Sequence, residues 1–154
     1  MKRAVLSCVF LLAIIAAGII LFPTDSKRIK KVLNSGSKAV AEEDADSLME
    51  IISYNYSDDH GGSYLQLKKM AEAVFRRLDD IEVGMDITGV SVEGGRALAD
   101  LRVSVIASEG SERGYLIGDA AGNLQLKVFL EKSPYKWKVV RIEGLAEGAQ
   151  QKAE

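Results

Sequence analysis

The stretch IEVGMDITGVSVEGGRALADLRVSVIA, residues 81–107, decides the fold. Ile81, Val83, Met85 and Ile87 alternate with polar or small residues, the period of a strand with one face in a core. Val90 and Val92 continue the apolar run on the opposite parity, which predicts a β-bulge near Thr88 and Gly89. Glu93-Gly94-Gly95 reads as a hairpin turn. Ala97, Ala99, Leu101, Val103, Val105 and Ala107 then form an unbroken apolar face, with Asp100, Arg102, Ser104 and Ser108 between them. Two long antiparallel strands, each half buried, follow from that pattern.

Downstream, Glu109 to Gly114 reads as a charged loop and Tyr115 to Ile117 as the start of another strand. Leu124, Leu126, Val128 and Leu130 alternate with Gln125, Lys127 and Glu131; Ser133-Pro134 turns the chain, and Trp137 to Ile142 closes the sheet. Upstream the period is 3.6. Ile29, Val32, Leu33, Gly36 and Val40 mark a first helix capped between Thr24 and Ser26. Asp44 caps a short second helix carrying Ala45, Leu48, Met49 and Ile52. Ser63 caps a third, where Leu67, Met70, Ala71, Val74, Phe75 and Leu78 fill one face and Lys68, Lys69, Glu72, Arg76, Arg77 and Asp79 the other. Three helices followed by a meander of strands is an α+β architecture.

Composition narrows the class. With 47% hydrophobic and 27% charged residues in 154, the chain builds one packed domain. One cysteine forms no intramolecular disulfide, and one histidine leaves too few soft ligands for structural zinc. No calcium loop and no phosphate loop follows the required spacing, so no metal and no cofactor is expected.

Residues 4–22, AVLSCVFLLAIIAAGIILF, carry no charge, and as a helix they would span about 28 Å, close to the thickness of a bilayer's hydrocarbon. Ala16-Ala17-Gly18 offers a signal-peptidase site but would leave Ile19 to Phe22 on the new terminus, and Cys8 lies too early for a lipoprotein. The length favours an uncleaved anchor over residues 1–22, contacting membrane lipid through 4–22, a short linker at 23–26, a domain at 27–143 and a flexible tail at 144–154. Basic residues flank both ends: Lys2 and Arg3 before, Lys27, Arg28, Lys30 and Lys31 after. A two-residue basic head before an apolar run is how exported chains begin, so the body is expected outside the cytoplasm. Of the 20 basic side chains two, Lys2 and Arg3, precede the body, leaving 18 against 22 acids; no nucleic-acid footprint is visible. Residues 42–60 hold seven acids and no Lys or Arg, so the bases cluster on the anchor side.

Asp44-Ala-Asp at the elbow between helices, Ser53-Tyr-Asn-Tyr-Ser-Asp-Asp-His-Gly before the third helix and Trp137-Lys-Val-Val-Arg-Ile on the last strand give residues 27–143 an order that resembles the NTF2-like superfamily, the cone fold of ketosteroid isomerases and their relatives. The resemblance implies a curved sheet wrapped around the helices, with a cavity open at one end. It implies no single activity, since the superfamily includes isomerases, dehydratases and modules that only bind or pair.

Tyr54, Tyr56, Asp58, Asp59 and His60 form the densest polar group. In the catalytic reading Asp58 or His60 abstracts a proton and Tyr56 donates to the developing oxyanion. In the structural reading Asp58 accepts from backbone N–H groups of the turn leading to Gly61 and Gly62, and Tyr56 packs beneath the third helix with its hydroxyl outward. The structural reading is preferred, with Tyr54, Tyr56, Asp58 and Trp137 as candidates to line a pocket for a small apolar ligand. A membrane-anchored binding or assembly module is therefore expected, with an isomerase or dehydratase as the alternative. Leu98, Ile106 and Phe129 on the outward face of the sheet would serve a homodimer.

Overall fold

The computed structural model describes residues 24–58, 61–120 and 122–144. The expected anchor at 4–22, His60, and the tail beyond Gly144 lie outside the described residues. Among those described, no helix is long and apolar enough to cross a membrane.

Among the described residues three helices, α1 (Asp25–Ala41), α2 (Ala45–Glu50) and α3 (Tyr64–Phe75), precede five antiparallel strands: β1 (Asp79–Glu93), β2 (Arg96–Glu109), β3 (Glu112–Ile117), β4 (Leu124–Ser133) and β5 (Lys136–Glu143). The sheet runs β1-β2-β4-β5, and β3 pairs with the far half of β2. The period-2 stretch behaves as its pattern dictates. The parity change is a register shift between Ile87 and Gly89, where the Thr88 hydroxyl donates to the Asp100 carbonyl at 3.0 Å. Gly94, at φ 59°, takes the left-handed conformation that a two-residue hairpin requires. A second shift near Asp79, with two more in the β2–β3 and β4–β5 pairings, bends the sheet.

The helices lie on one face of that curved sheet. Ile29 and Leu33 of α1, Met49 of α2 and Ile52 share one cluster with the inner faces of β2, β4 and β5. Ala97, Ala99, Leu101, Val103, Val105 and Ala107 are all buried, each pointing the same way because side chains alternate along a strand. Thr24 and Asp44 cap α1 and α2 as expected, Asp44 through a 2.9 Å bond to the Ser47 N–H. The Ser63 N–H donates to Gln66 Oε1 at 2.8 Å, one arm of a capping box.

Helix α1 begins at Asp25, inside the Thr24 to Ser26 stretch expected to cap it. Three expectations are corrected. The first strand begins at Asp79 rather than Ile81. Glu109 to Gly114 is a tight hairpin around Gly110, at φ 62°, and Ser111. Its charges are strand residues: the Arg113 guanidinium reaches Glu82 at 2.7 Å and the Asp80 carbonyl at 3.0 Å, holding β3 and the start of β1 together over β2. Met70, placed in the buried stripe of α3, is exposed. It lies roughly 100° around the helix from Ala71, the one fully buried residue of α3, and so faces outward.

Candidate functional site

The polar group between α2 and α3 is built by the edge of β5. After α2 the chain runs alongside that strand: the Val139 N–H donates to the Ile51 carbonyl, the Ser53 N–H to the Val139 carbonyl, both at 2.8 Å, and the Ser57 N–H to the Val140 carbonyl at 3.1 Å. These bonds satisfy an edge that would otherwise be open, and they fix where Tyr56 and Asp58 point. The Tyr56 ring is buried, 4% exposed. Ser57 and Ser63 form an antiparallel bridge, and Gly61, at φ 76°, turns the chain between them.

Inside that turn the Gly62 N–H donates to Asp58 Oδ1 at 2.7 Å, and the Gly61 N–H donates to the Asp58 carbonyl at 3.2 Å. The Tyr56 hydroxyl donates to the Asp58 carboxylate. Burial, then the neighbouring Asp58 charge and this hydrogen bond, push the Tyr56 phenol up to about 12. Tyr56 therefore remains a neutral donor across the physiological range. Tyr56 and Asp58 are thus brought together.

The other candidates are elsewhere. Tyr54 is 84% exposed, its ring tilted against Tyr64 with centroids 4.7 Å apart. Trp137 is 2% exposed on the inner face of β5, and its indole N–H donates to Asp25 Oδ1 at 3.2 Å. Lys132 Nζ joins them, 3.0 Å from Asp25 Oδ1 and over the indole ring. Asp25 escaped the sequence reading because its partners lie more than 100 residues away, and nothing local marks it.

Among the described residues no charged side chain is buried, Tyr56 and Trp137 being the buried side chains that carry a hydrogen-bonding group, and no group of His, Cys, Asp and Glu could hold a metal. A hollow of about 490 Å³ opens on the side of the sheet away from the helices, among Thr88, Asp100, Arg102, Gln125 and Lys127.

No family model and no curated protein matches the sequence. Solved structures do. A candidate scytalone dehydratase from Novosphingobium aromaticivorans superposes with a TM-score of 0.67 at 14% identity, over 77% of this chain and 80% of that one. A candidate dehydratase of the NTF2-like family from Streptomyces avermitilis gives 0.65 at 13% identity, over 77% and 92%. An NTF2-like protein with a cystatin-like fold, again from Novosphingobium aromaticivorans, gives 0.63 at 16% identity, over 88% and 93%. The fold is NTF2-like. At these identities the likeness carries the NTF2-like architecture and no activity.

Proposed function

We propose that the chain is a membrane-tethered, extracytoplasmic NTF2-like module that binds or assembles without catalysis, its cone packed shut. One observation carries this reading: the inner face of the sheet presents alanine, valine and leucine to the helices, with Ala99 and Leu130 wholly inaccessible and no charged side chain buried among the described residues. A general base acts from a pocket that admits substrate and positions it by a few convergent polar groups. Here the Asp58 carboxylate is engaged by the Gly62 N–H and the Tyr56 hydroxyl in a loop at the sheet's edge. Leu98 and Phe129, opposite one another across the β2–β4 ladder on the outward face, support self-association. The tether rests on the uncharged run of residues 4–22.

The Tyr56–Asp58 contact favours a second reading, a dehydratase or isomerase with Asp58 as base, in keeping with the names of two structural relatives. Asp58→Asn separates the two. In cells whose only copy is this variant, normal complementation with unchanged self-association of the full chain in detergent supports the module. Lost complementation by a folded, membrane-extracted variant supports the enzyme. Alkaline extraction of membranes carrying the full chain tests the tether: release into the supernatant would remove it.

A further inference from the structure

Helix α1 has two faces of opposite character. Ile29, Leu33, Gly36 and Ala39 are buried against the rest of the domain. Lys27, Lys30, Lys31, Asn34, Ser35 and Lys38, at i, i+3, i+4, i+7, i+8 and i+11, are all exposed and line one shallow depression along the helix. Four of the six are lysines and none is acidic. Lys38 reaches Glu42 at 3.6 Å, an exposed pair; Lys27, Lys30 and Lys31 have no acidic partner among the described residues. A 17-residue helix is about 25 Å long, so the stripe presents a line of positive charge rather than a point. It starts five residues after Phe22, the end of the uncharged run.

We infer that this face of α1 lies on the anionic headgroups of the bilayer that holds the chain, fixing the orientation of the domain on its membrane. The inference rests on the tether proposed above. Charge complementarity argues for a lipid surface: lysines on long flexible stems, three of the four without an acidic partner among the described residues and all spread along a line, suit a diffuse layer of phosphates. The stripe shows no aromatic or apolar residue of the kind that anchors a protein interface. Each lysine near such a surface adds attraction, and the sum falls steeply with salt.

The test uses the full chain with Cys8→Ser and Asn34→Cys, spin-labelled at position 34 and reconstituted into vesicles of phosphatidylcholine, with or without about 30% phosphatidylglycerol. Flotation in 0.5 M salt reports the tether, and collision with a neutral nickel chelate reports exposure of the label. The expected result is flotation with both vesicle types, and collision reduced at least about threefold only where phosphatidylglycerol is present. High salt restores the collision rate, as does the Lys27→Gln, Lys30→Gln, Lys31→Gln, Lys38→Gln variant. Flotation with equal collision in both lipids overturns the docking and leaves the tether standing; a merely solvated helix or an acidic protein partner would give that result. A chain that floats with neither overturns both.

Discussion

The indole N–H of Trp137 donates to the carboxylate of Asp25 at 3.2 Å, joining the last strand to the first turn of the first helix across 112 positions of sequence. Lys132 closes the triad from β4. The arrangement fixes where α1 enters the domain, and with it the direction in which the lysine stripe faces.

That triad makes stability depend on pH in acid. Hydrogen bonds from Lys132, then from Trp137, hold the Asp25 carboxyl below its ordinary 3.8 despite some opposing burial. A carboxylate whose folded value is depressed stabilises the fold fully above its unfolded value, and the contribution is lost as pH falls through the folded value. The urea midpoint of the wild type should therefore drop more steeply below about pH 4 than that of Asp25→Asn. Parallel curves for the two chains would exclude the role given to Asp25.

Trp137 itself fills the inner face of β5. Trp137→Ala should cost about 3–5 kcal/mol in equilibrium unfolding, as deletion of a buried large aromatic does. Trp137→Phe keeps most of the packing and loses the bond to Asp25. It should fall between the alanine variant and the wild type and should also flatten the acid limb. A Trp137→Ala chain as stable as the wild type would show that the ring is not a core element.

At the other end of the pH scale Tyr56 dominates. Its phenol, near 12 in the fold against 10.0 when exposed, keeps its proton where the unfolded chain has lost it, so stability falls as pH rises from about 10 to 12. Absorbance at 295 nm should show one tyrosine of the five titrating last, and Tyr56→Phe should remove that step. Burial is the first cause of the shift and the Asp58 charge the second. Asp58→Asn should therefore lower the step without returning it to 10. An unmoved step would mean that Asp58 does not face the hydroxyl.

Gly62 holds Asp58 in place by having no side chain. A Cβ added there would stand 2.8 Å from Asp58 Cγ, closer than real contacts allow, and the carboxylate would have to leave the Gly62 N–H. Gly62→Ala should destabilise by about 1–3 kcal/mol and lower the Tyr56 step as Asp58→Asn does. A stable variant with an unchanged tyrosine titration would break the link between the turn and the pair.

Where the sequence spoke clearly, one interaction dominated each residue. The inner face of β2 needed only burial on alternate positions, and the bulge at Gly89 and the turn at Gly94 follow from parity and glycine chemistry. The stretch from Thr24 to Ser26, Asp44 and Ser63 declared three helix starts because capping is local. Local charge misled at Glu109 to Gly114, where Arg113 and Glu82 pair across strands that the sequence keeps far apart. Met70 misled because a six-residue stripe is wider than the surface α3 covers. In the candidate site the turn around Asp58 was legible, since an aspartate a few residues ahead of Gly61-Gly62 can accept from the N–H groups of the turn. The burial of Tyr56 was not, because it depends on the segment after α2 lying along β5, a pairing with no local signature.

Ala99 offers the most direct test of whether the cone is filled. It is wholly inaccessible in the first half of β2, between Val90 of β1 and Val128 of β4, where a small side chain either completes close packing or borders a void. In a filled core a leucine there must displace its neighbours, and Ala99→Leu should cost about 1–3 kcal/mol. Leu130→Ala, the opposite change at another inaccessible site, should cost about 2–5 kcal/mol. If the cone instead encloses a ligand-sized space, Ala99→Leu would occupy it and leave stability unchanged or raised, while Leu130→Ala would still destabilise. The sign of the Ala99→Leu effect in urea unfolding thus separates a closed scaffold, whose function lies on its outer surfaces, from a receptor with an interior site.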